Sequence, residues 1–199
     1  GKIEFHFYLD RISLPSVVSI PFGHNKPLYS QKDFFKAKGY LTFNGEKFEA
    51  TDDTTAIVDD HRGYYPYRAH YDWLTTMGRG EIDGEKKFFA FNLTRNQSIN
   101  QDDYNENLIW LEGSTSLLPP VRFTHNAEDS VWTVKDEQDM VNVTFDIGDM
   151  YKMEVHAGLI DIDYHVAFGE IKGYVRGTDG KKYFLDHKMG MGEDKTLRF

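Results

Sequence analysis

Dipeptides that favour tight turns divide this chain into short strand-like segments. Four such dipeptides each separate two runs that are rich in aromatic and β-branched residues. They are Asn44-Gly45, Asp83-Gly84, Glu112-Gly113 and Asp179-Gly180. Asn-Gly and Asp-Gly supply the positive φ angles that a hairpin turn requires. Repeated turns of this kind predict antiparallel hairpins, and several short strands in succession favour a β-sandwich or a β-barrel.

Helical periodicity is nearly absent. Residues 33–38 have room for one or two helical turns, and residues 51–58 are ambiguous between helix and strand. Aromatic residues make up 15% of the chain, and broad rings pack well on the pleated surface of a sheet. We therefore predict an all-β protein.

The length of 199 residues fits one domain of generous size, so we expect a single β-barrel-like domain over residues 1–199. The chain opens directly in a strand pattern at Lys2 and lacks an initiator methionine. We therefore expect it to be part of a longer protein, whose N-terminal part is then a candidate partner.

The charge balance excludes several classes of partner. A formal net charge of -9 argues against nucleic acid, because binding to phosphates needs a basic surface. No apolar run is long enough for a membrane span. The chain has no cysteine, which excludes disulfides and thiolate chemistry and favours a reducing, cytoplasmic location.

The chemically richest segment covers residues 59–73, with carboxylates, two histidines, two arginines, four tyrosines and a tryptophan. If it were one strand, alternation would divide it into two faces. The odd-numbered face would carry Asp59, His61, Gly63, Tyr65, Tyr67, Ala69, Tyr71 and Trp73. The even-numbered face would carry Asp60, Arg62, Tyr64, Pro66, Arg68, His70 and Asp72. Pro66 marks a bend or an edge. The segment is either the lining of a pocket or an aromatic sheet face with ion pairs.

A second polar group surrounds Asn92, which stands between Phe91 and Leu93, and the pair Glu106 and Asn107. A buried asparagine needs hydrogen-bond partners, so these residues predict a polar network. Such a network either holds a loop or presents a carboxylate to a ligand, and the structural role is the stronger prediction.

Other kinds of chemistry lack their motifs. The eight histidines show no metal-binding spacing, and the chain has neither a nucleophile elbow nor a phosphate-binding glycine loop. We therefore predict no metal and no cofactor. Acid–base chemistry by Asp59, Asp60, Asp72 or Glu106 remains, because a carboxyl group walled by aromatic rings has its pKa raised.

These motifs, taken in order, give the chain a family resemblance. The pattern Asp-x-x-Arg-Gly-x-x-Pro-Tyr-Arg over residues 59–68 is the specific part, and it is preceded by Pro21-Phe22-Gly23 and followed by Phe91-Asn92-Leu93. The chain resembles the DUF2804 family of uncharacterised proteins. That family looks related to AttH-like and other lipocalin-like tandem β-barrels, a group that includes hydratases and cyclases of long apolar isoprenoids. The resemblance implies a lipocalin-like antiparallel β-barrel with part of a second barrel or sheet. It also implies that this chain is the C-terminal part of a longer member.

The leading functional prediction is binding of a small, largely apolar, lipid- or isoprenoid-like ligand in a barrel cleft. The predicted ligand-binding residues are Arg62, Tyr64, Tyr67, Arg68, Tyr71, Trp73, Asn92, Glu106 and Asn107. The first alternative is a hydratase or cyclase, in which Asp59 or Asp72 donates a proton and His61 orients or relays it. The second alternative is a scaffold or interaction domain without a ligand.

Overall fold

The computed structural model describes residues 1–82 and 84–198. This part of the chain contains β-strands and no helix. The predicted all-β class is therefore confirmed, and the one or two helical turns for which residues 33–38 had room are not formed. Those residues belong to a strand of 17 residues. Pairing with neighbours on both sides decides their conformation, since Phe35 lies opposite Arg11 on one side and Ala56 on the other.

The first sheet, sheet A, has five strands: β1 (Ile3–Arg11), β2 (Ser16–Pro21), β3 (Pro27–Phe43), β4 (Glu46–Glu49) and β5 (Thr55–Gly63). Strand β3 is its centre, because the other four strands all pair with it. The hairpin between β3 and β4 turns at Asn44 and Gly45, whose φ angles are 51° and 89°. Both are positive, as the Asn-Gly pair predicted.

The second sheet, sheet B, has nine strands: β6 (Arg68–Ile82), β7 (Glu85–Arg95), β8 (Leu108–Leu111), β9 (Ser114–Leu117), β10 (Arg122–His125), β11 (Val131–Lys135), β12 (Val141–Ala157), β13 (Ile160–Arg176) and β14 (Lys182–Arg198). Their spatial order is β10-β11-β12-β13-β14-β6-β7-β8-β9. The predicted turns at Glu112-Gly113 and Asp179-Gly180 each join two of these strands. Asp83 lies outside the described residues, and Gly84 precedes β7.

Sheet B curls into a half-barrel around the main hydrophobic core. Phe91, Trp132 and Phe145 lie in this core and are fully shielded from solvent. Alternation along β7 and β8 sends every second side chain to the opposite side of the sheet. There Phe88 and Trp110 pack against Phe34 of sheet A. Sheet A therefore covers the outer side of the half-barrel. This arrangement confirms a barrel-like sheet with part of a second sheet beside it.

The chain passes from one sheet to the other at residues 64–67. Strand β5 ends at Gly63 in sheet A, and β6 begins at Arg68 in sheet B. Pro66 lies in this connection, which accords with its inability to donate to a ladder. The segment 59–73 is therefore two strands and not one, and it contributes to both facing sheets. The described residues include no helix that could cross a membrane.

Candidate functional site

A cleft of about 380 Å³ lies between the two sheets, and we call it the Lys32 cleft. Sheet A forms one wall with β3 and β5, and sheet B forms the other with β6, β7 and β14. The cleft is lined by Phe22, Leu28, Lys32, Asp59, His61, Tyr65, Tyr71, Trp73, Thr94, Asn96, Gln97, Glu106, Glu193, Lys195 and Leu197.

The pairing of β3 with β5 builds the polar wall. In this register Lys32 is directly opposite Asp59, and Ser30 is directly opposite His61. Side chains opposite one another in an antiparallel pair point to the same face, so all four gather on one side of sheet A. A β-carbon at Gly63 would lie 2.6 Å from the Pro27 carbonyl oxygen, so only glycine permits this close approach.

Lys32 is the centre of the polar wall, and only 2% of its surface is exposed. Its Nζ lies 2.6 Å from Glu106 Oε2, 2.9 Å from His61 Nε2 and 3.3 Å from Asp59 Oδ1. Ser30 Oγ lies 3.1 Å from the same nitrogen and donates to Glu106. A buried ammonium needs such compensation, and here the carboxylates of Glu106 and Asp59 and the Ser30 hydroxyl oxygen supply it.

The Asp59 carboxyl group is held in its ionised form. Burial acts to raise its pKa, but the hydrogen bond with His61 and the positive charge of Lys32 together outweigh burial. The pKa of Asp59 is therefore below its usual value of 3.8. His61 Nε2 lies 3.1 Å from Asp59 Oδ1. At neutral pH Asp59 is therefore a carboxylate, and the raised pKa expected for an acid walled by aromatic rings is not found at this residue.

The opposite wall comes from β6 and β14. Their register places Trp73 opposite Glu193 and Tyr71 opposite Lys195. The Glu193 carboxylate accepts hydrogen bonds from the hydroxyls of Tyr71 and Tyr164, each at 2.7 Å. Burial, followed by the negative charge of Glu193, raises the pKa of Tyr71 far above its usual range. Tyr71 therefore stays protonated, and its hydroxyl hydrogen is donated to Glu193.

The predicted network around Asn92 is mainly structural. Asn92 accepts a hydrogen bond from Trp73 Nε1 at 2.6 Å and donates to the Glu106 carbonyl oxygen at 2.8 Å. Asn107 accepts from the Thr94 backbone N–H and donates to the Pro119 carbonyl. These amides hold the loop before β8 in place, and that loop presents the Glu106 carboxylate to Lys32.

The structure divides the predicted site residues into two groups. Five line the Lys32 cleft: Asp59, His61, Tyr71, Trp73 and Glu106. Arg62 instead pairs with Asp60 on the exposed side of β5. Tyr64, Tyr67 and Arg68 are exposed and do not line the cleft. Asp72 points to the inner side of the half-barrel, where His125 Nε2 lies 3.2 Å from it.

Several cleft residues were not predicted, and Lys32 is the most central of them. A signal for it exists in the sequence, because Leu28, Ser30, Lys32 and Phe34 alternate along one face of β3. A lysine among buried positions of a strand is rare unless it is paired. Glu193 and Lys195 carried no comparable signal, since only the pairing of β14 with β6 places them in the cleft.

Comparisons with known proteins give a family and a fold. The profile of a family described as "Domain of unknown function (DUF2804)" matches residues 1–199. Among curated proteins there is no match. The crystal structure of kievitone hydratase from Nectria haematococca superposes with a TM-score of 0.50 and 13% identity. The alignment covers 98% of this chain and 61% of that chain. At this identity the likeness shows the fold alone, and it confirms the lipocalin-like architecture.

Proposed function

The chain belongs to the DUF2804 family, and from the geometry of its Lys32 cleft we propose that it binds a small, largely apolar molecule through one polar group. One observation carries this proposal: the cleft combines the polar group around Lys32 with apolar side chains on both of its walls. Phe22 and Leu28 belong to one wall, and Trp73 and Leu197 to the other. Small-molecule sites have this composition, with apolar walls and a few polar groups that fix orientation.

The size of the cleft supports a small molecule over a peptide or a polymer. Its volume of about 380 Å³ falls at the lower end of the range of roughly 300–1,000 Å³ found for ligand pockets. Gln97 adds a free acceptor, since its Oε1 is buried and has no hydrogen-bond partner among the described residues. A hydroxyl group on the ligand would satisfy this oxygen, because a buried acceptor without a partner is unfavourable.

The binding proposal can be tested with the intrinsic fluorescence of the protein. Trp110 and Trp132 are fully buried in the cores, whereas Trp73 lines the cleft. Medium-chain and prenyl alcohols, added one at a time, are therefore expected to change the fluorescence of the wild type and not that of Trp73→Phe. The variant Leu28→Asp should abolish binding, and Val17→Asp, at an exposed site on the neighbouring strand, should not. Saturable binding that survives Leu28→Asp in a folded protein would overturn the proposal.

A second candidate function is addition of water to an olefin, and the pair of Asp59 and His61 favours it. In this reaction a protonated His61 gives its proton to one olefinic carbon, and water attacks the resulting carbocation. Asp59 accepts the proton that the water loses, and it can return that proton to His61 across 3.1 Å. The Trp73 ring would stabilise the cation through its π face. The solved structure with the same fold is named as a hydratase, which supports the reaction class only.

The hydratase candidate makes a separate prediction. Prenyl alcohols incubated with the protein should gain the mass of one water molecule, with oxygen-18 incorporated from labelled water. Asp59→Asn should abolish this gain and retain binding, whereas Asp60→Asn should leave both unchanged, because Asp60 faces away and pairs with Arg62. If the wild type binds these alcohols but adds water to none of them, hydration of this substrate class is excluded. The binding function would then remain supported.

A further inference from the structure

A group of histidines and aspartates lies on the inner side of the half-barrel, on the face of β6 opposite the Lys32 cleft. We call His70, Asp72 and Asp194 the His70 cluster. One ligand atom from each of the three lies within 4.8 Å of the other two. The cluster is separate from the cleft residues, because successive side chains of β6 and β14 point to opposite sides of sheet B.

The register of two neighbouring strands assembles the cluster. Asp72 of β6 lies directly opposite Asp194 of β14, and His70 lies directly opposite Thr196. His70 and Asp72 are two positions apart, so their side chains share one face. Two carboxylates that face one another across a ladder repel each other. Within residues 1–82 and 84–198, no lysine or arginine forms an ion pair with Asp72 or Asp194, so imidazoles supply their nearby positive charge.

The distances within the cluster are longer than good hydrogen bonds. His70 Nε2 lies 3.5 Å from Asp72 Oδ2, and His70 Nδ1 lies 3.5 Å from Asp194 Oδ1. Hydrogen bonds between nitrogen and oxygen are about 2.7–3.2 Å long. Two ligand atoms each about 2.1 Å from a tetrahedral metal ion are about 3.4 Å apart. Only one ring nitrogen of His70 can bind the same ion as the two carboxylates. Because Nδ1 also lies 3.1 Å from Thr196 Oγ1, Nε2 is the nitrogen available to a cation, and its separation from Asp72 fits one edge of a coordination shell.

The surroundings fix one side of the cluster and leave the other open. His125 Nε2 lies 3.2 Å from Asp72 Oδ1, the oxygen that faces away from His70. The His125 ring stacks on Trp132 with centroids 4.4 Å apart, and its Nδ1 lies 3.2 Å from Asp129. Outer residues held in this way orient the carboxylates of metal sites. The His70 side chain is 53% exposed, so a cation can reach the cluster from solvent.

We propose that His70, Asp72 and Asp194 bind one divalent transition-metal cation of the Zn²⁺ class at the end of the half-barrel. Two carboxylates and a neutral imidazole neutralise a divalent cation, and imidazole selects Zn²⁺, Co²⁺ or Ni²⁺ over Ca²⁺ and Mg²⁺. The sequence predicts no metal site because its histidines do not show the spacing of a helical or zinc-knuckle motif. Here the third ligand comes from β14, more than a hundred residues away. This inference is independent of what the Lys32 cleft binds.

Calorimetric titration of chelator-treated protein with Zn²⁺, and absorption spectra with Co²⁺, test the proposal. The wild type should bind one equivalent of Zn²⁺ and give a Co²⁺ spectrum of a site with nitrogen and oxygen ligands. His70→Gln should weaken binding at least tenfold, and this variant should fold because the side chain is half exposed. His125→Gln should weaken binding about 10- to 100-fold, as the loss of an outer-shell residue does in known sites.

Two controls make the result specific. His156→Gln removes an exposed histidine that pairs with Asp161 elsewhere on the sheet, and Zn²⁺ affinity should not change. Glu154→Gln removes a carboxylate of the second acidic group, which also contains Asp163 and His165. Affinity should again be retained. Absence of saturable Zn²⁺ binding, equal affinity in His70→Gln, or loss of binding only in Glu154→Gln would each overturn the proposal.

Discussion

Lys32 Nζ and Glu106 Oε2 are 2.6 Å apart, although 74 positions separate the two residues in the chain. Both side chains are at most 5% exposed. Taking two charges out of water is unfavourable, and their attraction compensates only while both are present. This ion pair therefore ties the loop before β8 to the centre of sheet A. Each charge is stable in the interior only because the other charge is present.

Removing the lysine should therefore be strongly destabilising. We expect Lys32→Met to lower the free energy of unfolding by about 3 kcal/mol, because Glu106 is left buried without its partner. The double variant Lys32→Met with Glu106→Gln should be less destabilised than the sum of the two single variants. Urea denaturation measures all three. Lys38 serves as the control, since it also lies 2.6 Å from a carboxylate, that of Asp10, but on the exposed surface. Lys38→Met should leave stability unchanged.

Asn92 should contribute to stability through Trp73. Asn92→Leu leaves the Trp73 N–H and the Glu106 carbonyl without their partner. We expect a loss of about 2 kcal/mol in the free energy of unfolding, as for other buried groups left unpaired. In a Trp73→Phe background one of these groups is already gone, so the same substitution should have a smaller effect. Equal effects in the two backgrounds would show that the indole hydrogen bond contributes nothing.

The loss of folding stability at acid pH should depend in part on Asp59. Its pKa in the folded protein is below the usual value of 3.8, so the ionised form is favoured by folding. The resulting stabilisation is fully present above the pKa of the unfolded state and is lost as the pH falls through the folded pKa. The difference in urea midpoint between the wild type and Asp59→Asn should therefore shrink at acid pH. A difference that grew as the pH fell would contradict the assignment.

Substitution of Gly63 should destabilise the protein, because β5 approaches the backbone of β3 closely at this residue. A β-carbon there would lie 2.6 Å from the Pro27 carbonyl oxygen and 2.7 Å from the Leu28 α-carbon, and both are backbone atoms. We expect Gly63→Ala to destabilise the fold by roughly 2 kcal/mol, as overpacking does, and to weaken ligand binding by displacing β5. Gly148→Ala is the matched control, because the nearest atom there is 3.8 Å away. Thermal unfolding of the two variants separates these outcomes.

The features that sequence predicted best are local. The turn dipeptides gave the hairpins around Gly45, Gly113 and Gly180, because a positive φ angle is a property of the residues themselves. Alternation within the segment 59–73 also grouped Asp59, His61, Tyr65, Tyr71 and Trp73 on one side, and all five line the cleft. The segment is two strands in two sheets, and these five odd-numbered residues still face the same space, because the sheets face each other. Tyr67, in the connection between the strands, is exposed and does not line the cleft.

The features that sequence missed depend on register between distant strands. Lys32 meets Asp59 because β3 pairs with β5, and Glu193 meets Tyr71 because β14 returns beside β6. Asp72 was grouped with Asp59 by composition, and alternation sends it to the other side of sheet B. No spacing within a single segment carries this information, since any strand with suitable alternation could have been the neighbour.

The central position of β3 has a consequence for the rate at which this protein acquires its structure. Four other strands use β3 as their partner, and one of them closes a loop from residue 3 to residue 43. Pairings of this kind demand that the chain search for distant segments before any contact is gained, which slows folding. We expect refolding monitored at Trp73 to be slower than closure of the local β3–β4 hairpin. The cleft should then be among the last parts of the molecule to reach its native structure.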